Sequence, residues 1–271
     1  MIYLQSFKLS SKCLNCPNIY PYNVFRGREG RQFLFDRITV LYGSNGSGKS
    51  TLLNIIANKL LIKGKEYATP NTFGSEDFCG NFAKECTAGL GEDEFGRTLR
   101  VLPSDSRYIK SEDILYEVKK IQQIPILDEG LLVDQVKGGK SKEEAQAFLG
   151  SVAGWKIKEA TKFSQEKYSN GETSLQFFDD FIRPDALYLL DEPEVSLSPD
   201  NQVKLAEKLN DMARLLGCQF IIATHSPFML GTLSAKIYDL DSGSFAVADW
   251  TELENVRYFY DFFKKHDKEF E

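Results

Sequence analysis

Eight consecutive residues carry the most specific chemistry in this chain: Gly43, Ser44, Asn45, Gly46, Ser47, Gly48, Lys49 and Ser50, with Thr51 next. A glycine, four free positions and then Gly-Lys-Ser is the spacing of a loop that wraps phosphate groups. Glycines let successive backbone N–H groups turn inward onto phosphate oxygens, and the helix that follows presents its positive N-terminus to them. At that spacing Lys49 reaches the terminal phosphates, and the Ser50 hydroxyl is placed to ligate Mg²⁺. Far along the chain, Asp191 and Glu192 end the apolar run Ala186-Leu187-Tyr188-Leu189-Leu190. One such carboxylate can hold Mg²⁺ while its neighbour takes a proton from an attacking water. A third candidate is His225, which follows another apolar run, Phe220-Ile221-Ile222-Ala223, and Thr224. Strand ends in open α/β sheets line the ligand crevice, which sets this histidine apart from one held for packing alone. These residues imply a nucleoside triphosphate site.

The flanking patterns predict the elements that carry these groups. Ile38-Thr39-Val40-Leu41-Tyr42 predicts a buried strand entering the loop, and Leu52, Leu53, Ile55, Ile56 and Leu60 predict a helix leaving it. Residues 2–9 and Phe33-Leu34-Phe35 predict two more strands, so three precede the loop and suggest an antiparallel sheet beside the main one. Residues 64–96 are glycine-punctuated and read as a surface loop. Leu99-Arg100-Val101-Leu102 predicts a strand, and residues 111–168 predict charge-laced helices broken at Gly138-Gly139. Ser169 and Glu172 form a capping box for a helix running to Ile182, with Leu175, Phe178 and Ile182 as its apolar face. The same geometry opens backbone N–H groups to an anion. Ser198 reads as the N-cap and Pro199 as the first residue of a helix that Gly217 closes. Beyond it, Ile237–Leu240 and Phe245–Val247 predict a hairpin around Asp241-Ser242-Gly243. A last helix is expected with caps at Thr251 and Glu254. Its stripe of Val256, Phe259 and Phe263 reads first as core packing and second as a partner-docking face.

Composition narrows the classes. A chain of 271 residues with 42% hydrophobic content and 20 Phe can bury a large α/β core. No apolar run approaches the roughly 20 residues that span a bilayer, and Met1-Ile2-Tyr3-Leu4 lacks a basic leader, so a cytoplasmic protein with no membrane insertion is expected. A net charge of −6 gives nucleic acid no general attraction and leaves only a local basic patch as a route to it. Five cysteines, an odd number, argue against a secreted disulfide framework. Cys13 and Cys16, with the widely spaced Cys79 and Cys86, make a poor zinc set, and reduced thiols are the simpler reading.

The order of these motifs resembles the ABC ATPase superfamily: the phosphate loop, Ser169-Asn170-Gly171-Glu172 after a helical stretch, Leu-Leu-Asp-Glu-Pro, Ser-Leu-Ser, then Thr-His-Ser. Asn170 and Glu172 depart from the commonest signature, in the manner of the soluble branch that includes SMC-type ATPases. The chain is also similar to a group of small bacterial AAA/ABC-type ATPases through Tyr20-Pro21-Tyr22, residues 43–51, 168–230, Ile237–Leu240 and the aromatic last helix. The resemblance implies a P-loop α/β fold with a mixed central sheet and flanking helices. It divides one ATPase domain into an N-terminal β part (1–42), a first core half with a loop insert (43–110, insert 64–97), a helical signature subdomain (111–183) and a second core half (184–271). It further implies ATP as substrate and Mg²⁺ as cofactor. Lys49 would contact the β- and γ-phosphates, Ser50 and Asp191 the metal, Glu192 would be the general base and His225 the γ-phosphate sensor. Ser169, Asn170, Gly171 and Glu172 would close on the ATP of a second subunit, with Ser196, Leu197 and Ser198 at the dimer seam. Where the superfamily carries a glutamine near the metal, Glu112 stands in Tyr108-Ile109-Lys110-Ser111-Glu112, with Gln122 or Gln123 as alternatives. The expected activity is ATP hydrolysis tied to an ATP-dependent homodimer, outside transport, in DNA maintenance or phage defence. A transporter ATPase subunit and an ATP-sensing switch are the alternatives, and no sequence feature names the protein partner.

Overall fold

The computed structural model describes residues 1–15, 18–66, 77–114, 116, 131–133, 135–156 and 171–270 (for 171–174 and 176, the backbone only). Two compact units result: residues 1–111 with 182–271, and residues 112–181.

In the first unit, β1 (Leu4–Lys8) buries Leu4 and Phe7 and β2 (Gln32–Leu34) buries Phe33, with open positions between, whereas β3 (Ile38–Tyr42) is buried throughout. The phosphate-loop pattern leads into α1 (Lys49–Lys59), which buries Leu52, Leu53, Ile55 and Ile56. Next come α2 (Phe78–Glu85), β4 (Thr87–Leu90) and β5 (Arg107–Lys110). The second unit contains α3 (Lys142–Leu149), which carries a Ser141–Glu144 capping box, and α4 (Gly171–Phe181), which buries Phe177 and Phe178. The chain returns to the first unit through β6 (Leu187–Asp191), α5 (Pro199–Leu215), β7 (Gln219–Ala223), α6 (Pro227–Thr232) and β8 (Lys236–Asp239). A 3₁₀ turn at Trp250–Glu252 precedes α7 (Glu254–Lys265).

Five strands pair in parallel in the order β5-β6-β7-β3-β8, and β2-β1-β4 form an antiparallel sheet. Strands β3, β6 and β7 are each buried at all five positions, as a parallel sheet covered on both faces requires. This is the expected P-loop α/β architecture. Among the described residues, antiparallel pairing against the main sheet is limited to a bridge between Tyr238 and Val247, the remnant of the predicted hairpin.

Four local expectations need correction. The third antiparallel strand is β4 and not 38–42, because β3 is apolar on both faces and joins the parallel sheet. That strand and α2 lie inside the segment read as a loop. Asp77 caps α2 by accepting from the Gly80 N–H at 2.8 Å, and Phe82 and Ala83 anchor it in the core. The strand expected at 99–102 forms instead at Arg107–Lys110, where Tyr108 and Ile109 are buried and Val101 is exposed. Finally, α7 is preceded by Leu253 without a side-chain cap, and of its apolar stripe only Val256 is core.

Gln219 ties the two sheets together. Its Oε1 accepts from the N–H groups of Tyr3 (2.8 Å) and Leu4 (2.9 Å). Its Nε2 donates to the carbonyls of Leu4 (2.8 Å) and Asp36 (3.1 Å). Four backbone groups that would otherwise be buried without partners are satisfied by one amide.

Candidate active site

Parallel strands deliver their C-terminal ends to one edge, so the sheet order decides which side chains can meet. With β7 between β3 and β6, the loop after β3, Thr224-His225 after β7 and Asp191-Glu192 at the end of β6 come together.

The loop turns at Gly48, which takes φ +98° just before α1. A Cβ there would stand 2.7 Å from Val24 Cγ1, so this position excludes a side chain on two grounds. Asp241 fixes the loop's other end, accepting from the Ser44 N–H at 2.7 Å and the Ser44 hydroxyl at 2.9 Å. Lys49 is buried at 5% exposure. Its ammonium donates to the Gly43 carbonyl at 2.8 Å and the Ser44 carbonyl at 3.1 Å, and stands 3.9 Å from Glu192 Oε1.

Asp191 is buried between two hydroxyls. Ser50 Oγ donates to its Oδ1 at 3.0 Å and Tyr108 Oη to its Oδ2 at 3.0 Å. Burial nevertheless raises the Asp191 pKa, outweighing the two hydrogen bonds and the attraction of Lys49, while the negative charge of Glu192 pushes the same way. Burial, with the Asp191 charge beside it, also raises the pKa of Tyr108, which stays a hydrogen-bond donor. The donor set suits Mg²⁺, a hard cation that takes oxygen ligands from few side chains and keeps water and phosphate for the rest. Ser50 and Asp191, already in contact through that hydrogen bond, would be the two side chains to hold such an ion.

Glu192 adopts φ +48°, and its N–H donates to the Ala223 carbonyl at 2.9 Å. That turn brings its Oε1 to 3.3 Å from His225 Nδ1. His225 is half exposed, and its carbonyl accepts from Asn255 Nδ2 at 2.8 Å. Beneath it lies Glu194, whose Oε1 accepts from the Thr224 hydroxyl and whose buried Oε2 has no partner among the described residues. Burial raises the Glu194 pKa. Ser226 caps α6 by accepting from the Met229 N–H at 3.2 Å and donates to Gln202 Oε1 at 2.5 Å.

Lys49, Ser50, Asp191, Glu192 and His225 therefore share one site. Ser198 caps α5 through the Asn201 N–H at 3.4 Å, Leu197 is buried, and Ser196 is exposed at φ +68°. Ser169, Asn170, Gln122 and Gln123 lie outside the described residues, as does Cys16 of the thiol pair. Gly171 and Glu172 begin α4 in the second unit, and the exposed Glu112 belongs to that unit too. Tyr108, Asp241 and Asn255 were missed by sequence reasoning. Tyr108 was legible only once a strand, rather than a loop, is placed at 107–110.

Residues 116–231 match a family model described as "AAA domain, putative AbiEii toxin, Type IV TA system". The "Putative ABC transporter ATP-binding protein" of Sulfurisphaera tokodaii is 26% identical over 211 residues, which cover 76% of this chain. That alignment spans 38% of the archaeal protein, so the chain matches well under half of this relative's length. The tungstate uptake system ATP-binding protein TupC of Peptoclostridium acidaminophilum is 26% identical over 226 residues, covering 82% of this chain and 89% of that one. Among solved structures, a nucleotide-free ATP-binding cassette from an ABC transporter aligns over 96% of both chains at 15% identity with a TM-score of 0.47. The SMC head domain from Thermotoga maritima aligns over 88% of this chain and 94% of that one, at 14% identity and a TM-score of 0.42.

Proposed function

We propose that the chain is an AAA- and ABC-type P-loop ATPase domain, a reading supported by the family match over residues 116–231 and by the ABC ATP-binding relatives, and that it binds Mg-ATP, hydrolyses it, and dimerises around it. The observation that carries this reading is the convergence of a phosphate-loop lysine, two metal-suited oxygens and a carboxylate–imidazole pair at one sheet edge. Backbone N–H groups of residues 43–48 and the Lys49 ammonium hold the phosphates, exchanging the Gly43 and Ser44 carbonyls for phosphate oxygens. Ser50 and Asp191 hold Mg²⁺, which when bound offsets phosphate charge. Glu192 accepts a proton from the attacking water. His225, 3.3 Å from Glu192, holds that carboxylate and senses the γ-phosphate. Residues 169–172 of a second copy, of which Gly171 and Glu172 begin α4, close the site from outside, with Ser196, Leu197 and Ser198 beside them. Loss of the γ-phosphate then loosens the pair.

The test is light scattering after size exclusion on Glu192→Gln protein with and without Mg-ATP. Conversion from monomer to dimer only with Mg-ATP is expected, together with loss of turnover. An unchanged mass, with ATP binding shown separately, would withdraw the dimer cycle for this chain. The reading favours work outside transport, because residues 169–172 depart from the transporter signature and Glu112 stands where a glutamine is usual. A second reading, service to a membrane partner, is favoured by the names of the relatives, one of them a tungstate uptake ATP-binding protein. No helix among the described residues is long and apolar enough to cross a membrane.

A further inference from the structure

Away from the nucleotide site, α6, the 3₁₀ turn and α7 enclose a hollow of about 530 Å³, lined by Phe228, Gly231, Trp250, Phe259, Tyr260 and Phe263 among others. Phe228, Trp250, Phe259 and Phe263 are 39–52% exposed, an aromatic density that a surface left to water does not keep. The strip continues along α7, because Tyr260 and Phe263 also border an adjoining hollow with Lys264, Asp267 and Phe270, so an acid as well as a base stands at that far end. Arg257 is the one charged residue lining the first hollow among the described residues. Two cations flank the Tyr260 ring: Arg257 Cζ lies 5.6 Å and Lys264 Nζ 5.5 Å from its centroid. Neither forms an ion pair among the described residues, in a chain whose net charge is −6.

An elongated apolar groove along a helix fits the ridge of another helix, read as anchors at i, i+3, i+4 and i+7. Unpaired cations at its lip select carboxylates beside those anchors. A second copy meeting this face isologously would bring the same two cations to both sides of the contact. A membrane-inserting surface would project its aromatic rings, whereas these line a concavity. We propose that this groove is a docking site for an acidic amphipathic helix of a partner protein. The occupant would bear on the nucleotide site, because Asn255 of α7 donates to the His225 carbonyl at 2.8 Å and α6 starts two residues after His225. That link rests on the ATPase reading; the docking does not.

The test pans a displayed library of random 16-residue peptides on the full chain without nucleotide. Counter-selection uses the double variant Phe259→Ser, Phe263→Ser, whose altered side chains are exposed and whose fold is checked by its melting curve. Because no nucleotide is present, its failure is separable from failure of the ATPase reading. The expected winners carry apolar residues at helical spacing flanked by Asp or Glu. Their affinity should fall about tenfold on Arg257→Glu, Lys264→Glu protein and weaken with salt. Winners without acidic residues, winners that bind the double variant equally, or no enrichment would overturn the proposal. So would sedimentation showing self-association lost in Phe263→Ser, which would give the groove to a second copy. Flotation with phosphatidylglycerol vesicles, lost in the same variant, would give it to a lipid surface and overturn the proposal as well.

Discussion

Replacing Asp191 with Asn should stabilise the nucleotide-free protein while removing its response to Mg-ATP. Burial raises the Asp191 pKa even though two hydroxyls and Lys49 support the charged form. The folded state therefore binds more protons than the unfolded chain above the ordinary aspartate value of 3.8, and stability falls as pH rises through the shifted pKa. Asparagine keeps the shape and both partners, since its oxygen can accept from Ser50 and its amide can donate to the Tyr108 hydroxyl. Exchanging two charge-assisted bonds for neutral ones gives up about 1–3 kcal/mol. Relief of a buried carboxylate returns several kcal/mol. The balance is a gain on the order of 1 kcal/mol at neutral pH, read as a rise of about 2–4 °C in Tm. Melting curves from pH 4 to pH 8 should show the two proteins converging at the acidic end and separating toward neutrality. Mg-ATP at about 100 times Kd should add about 2.7 kcal/mol to the wild type and far less to the variant. A variant that melts below the wild type at neutral pH, or that keeps the full Mg-ATP shift, would refute the reasoning.

Two further substitutions test how the site is built. Gly48→Ala puts a methyl group 2.7 Å from Val24 Cγ1 at φ +98°, and should cost about 1–3 kcal/mol in urea unfolding along with most nucleotide affinity by fluorescence titration. Gln219→Leu strands two N–H groups and two carbonyls. A loss of about 4 kcal/mol is expected, and exchange protection of the Tyr3 and Leu4 amides should fall with it.

What the sequence made legible was local. Residues 43–51 must turn the same way in any fold that follows a buried strand with a helix, and the uninterrupted apolar runs before Asp191 and Thr224 mark strands covered on both faces. Ser198 and Pro199 announce α5 because a cap acts within one turn. What stayed hidden depends on distant partners. The strand at Thr87–Leu90 has only four residues and weak alternation, and becomes a strand because β1 supplies its pairing. Asp241 reads as a turn residue until Ser44, at a sequence separation of 197, is placed beside it. Tyr108 reads as one more aromatic until the sheet sets β5 beside β6 and turns its hydroxyl onto Asp191. The stripe on α7 follows helical period faithfully, yet period alone does not say whether a face meets the core or a hollow.

The amide of Gln219 also sets a timetable. Tyr3 and Leu4 are synthesised 216 and 215 positions before the side chain that satisfies their N–H groups. At the usual rates of protein synthesis, about 5–20 residues per second, that is a wait on the order of 10–40 s. Over that interval β1 can pair with β2 and β4 on both of its edges, yet the N–H groups of Tyr3 and Leu4 lack the acceptor that Gln219 later supplies. Truncation before residue 219 should therefore leave those two amides open to hydrogen exchange even where the antiparallel sheet has formed.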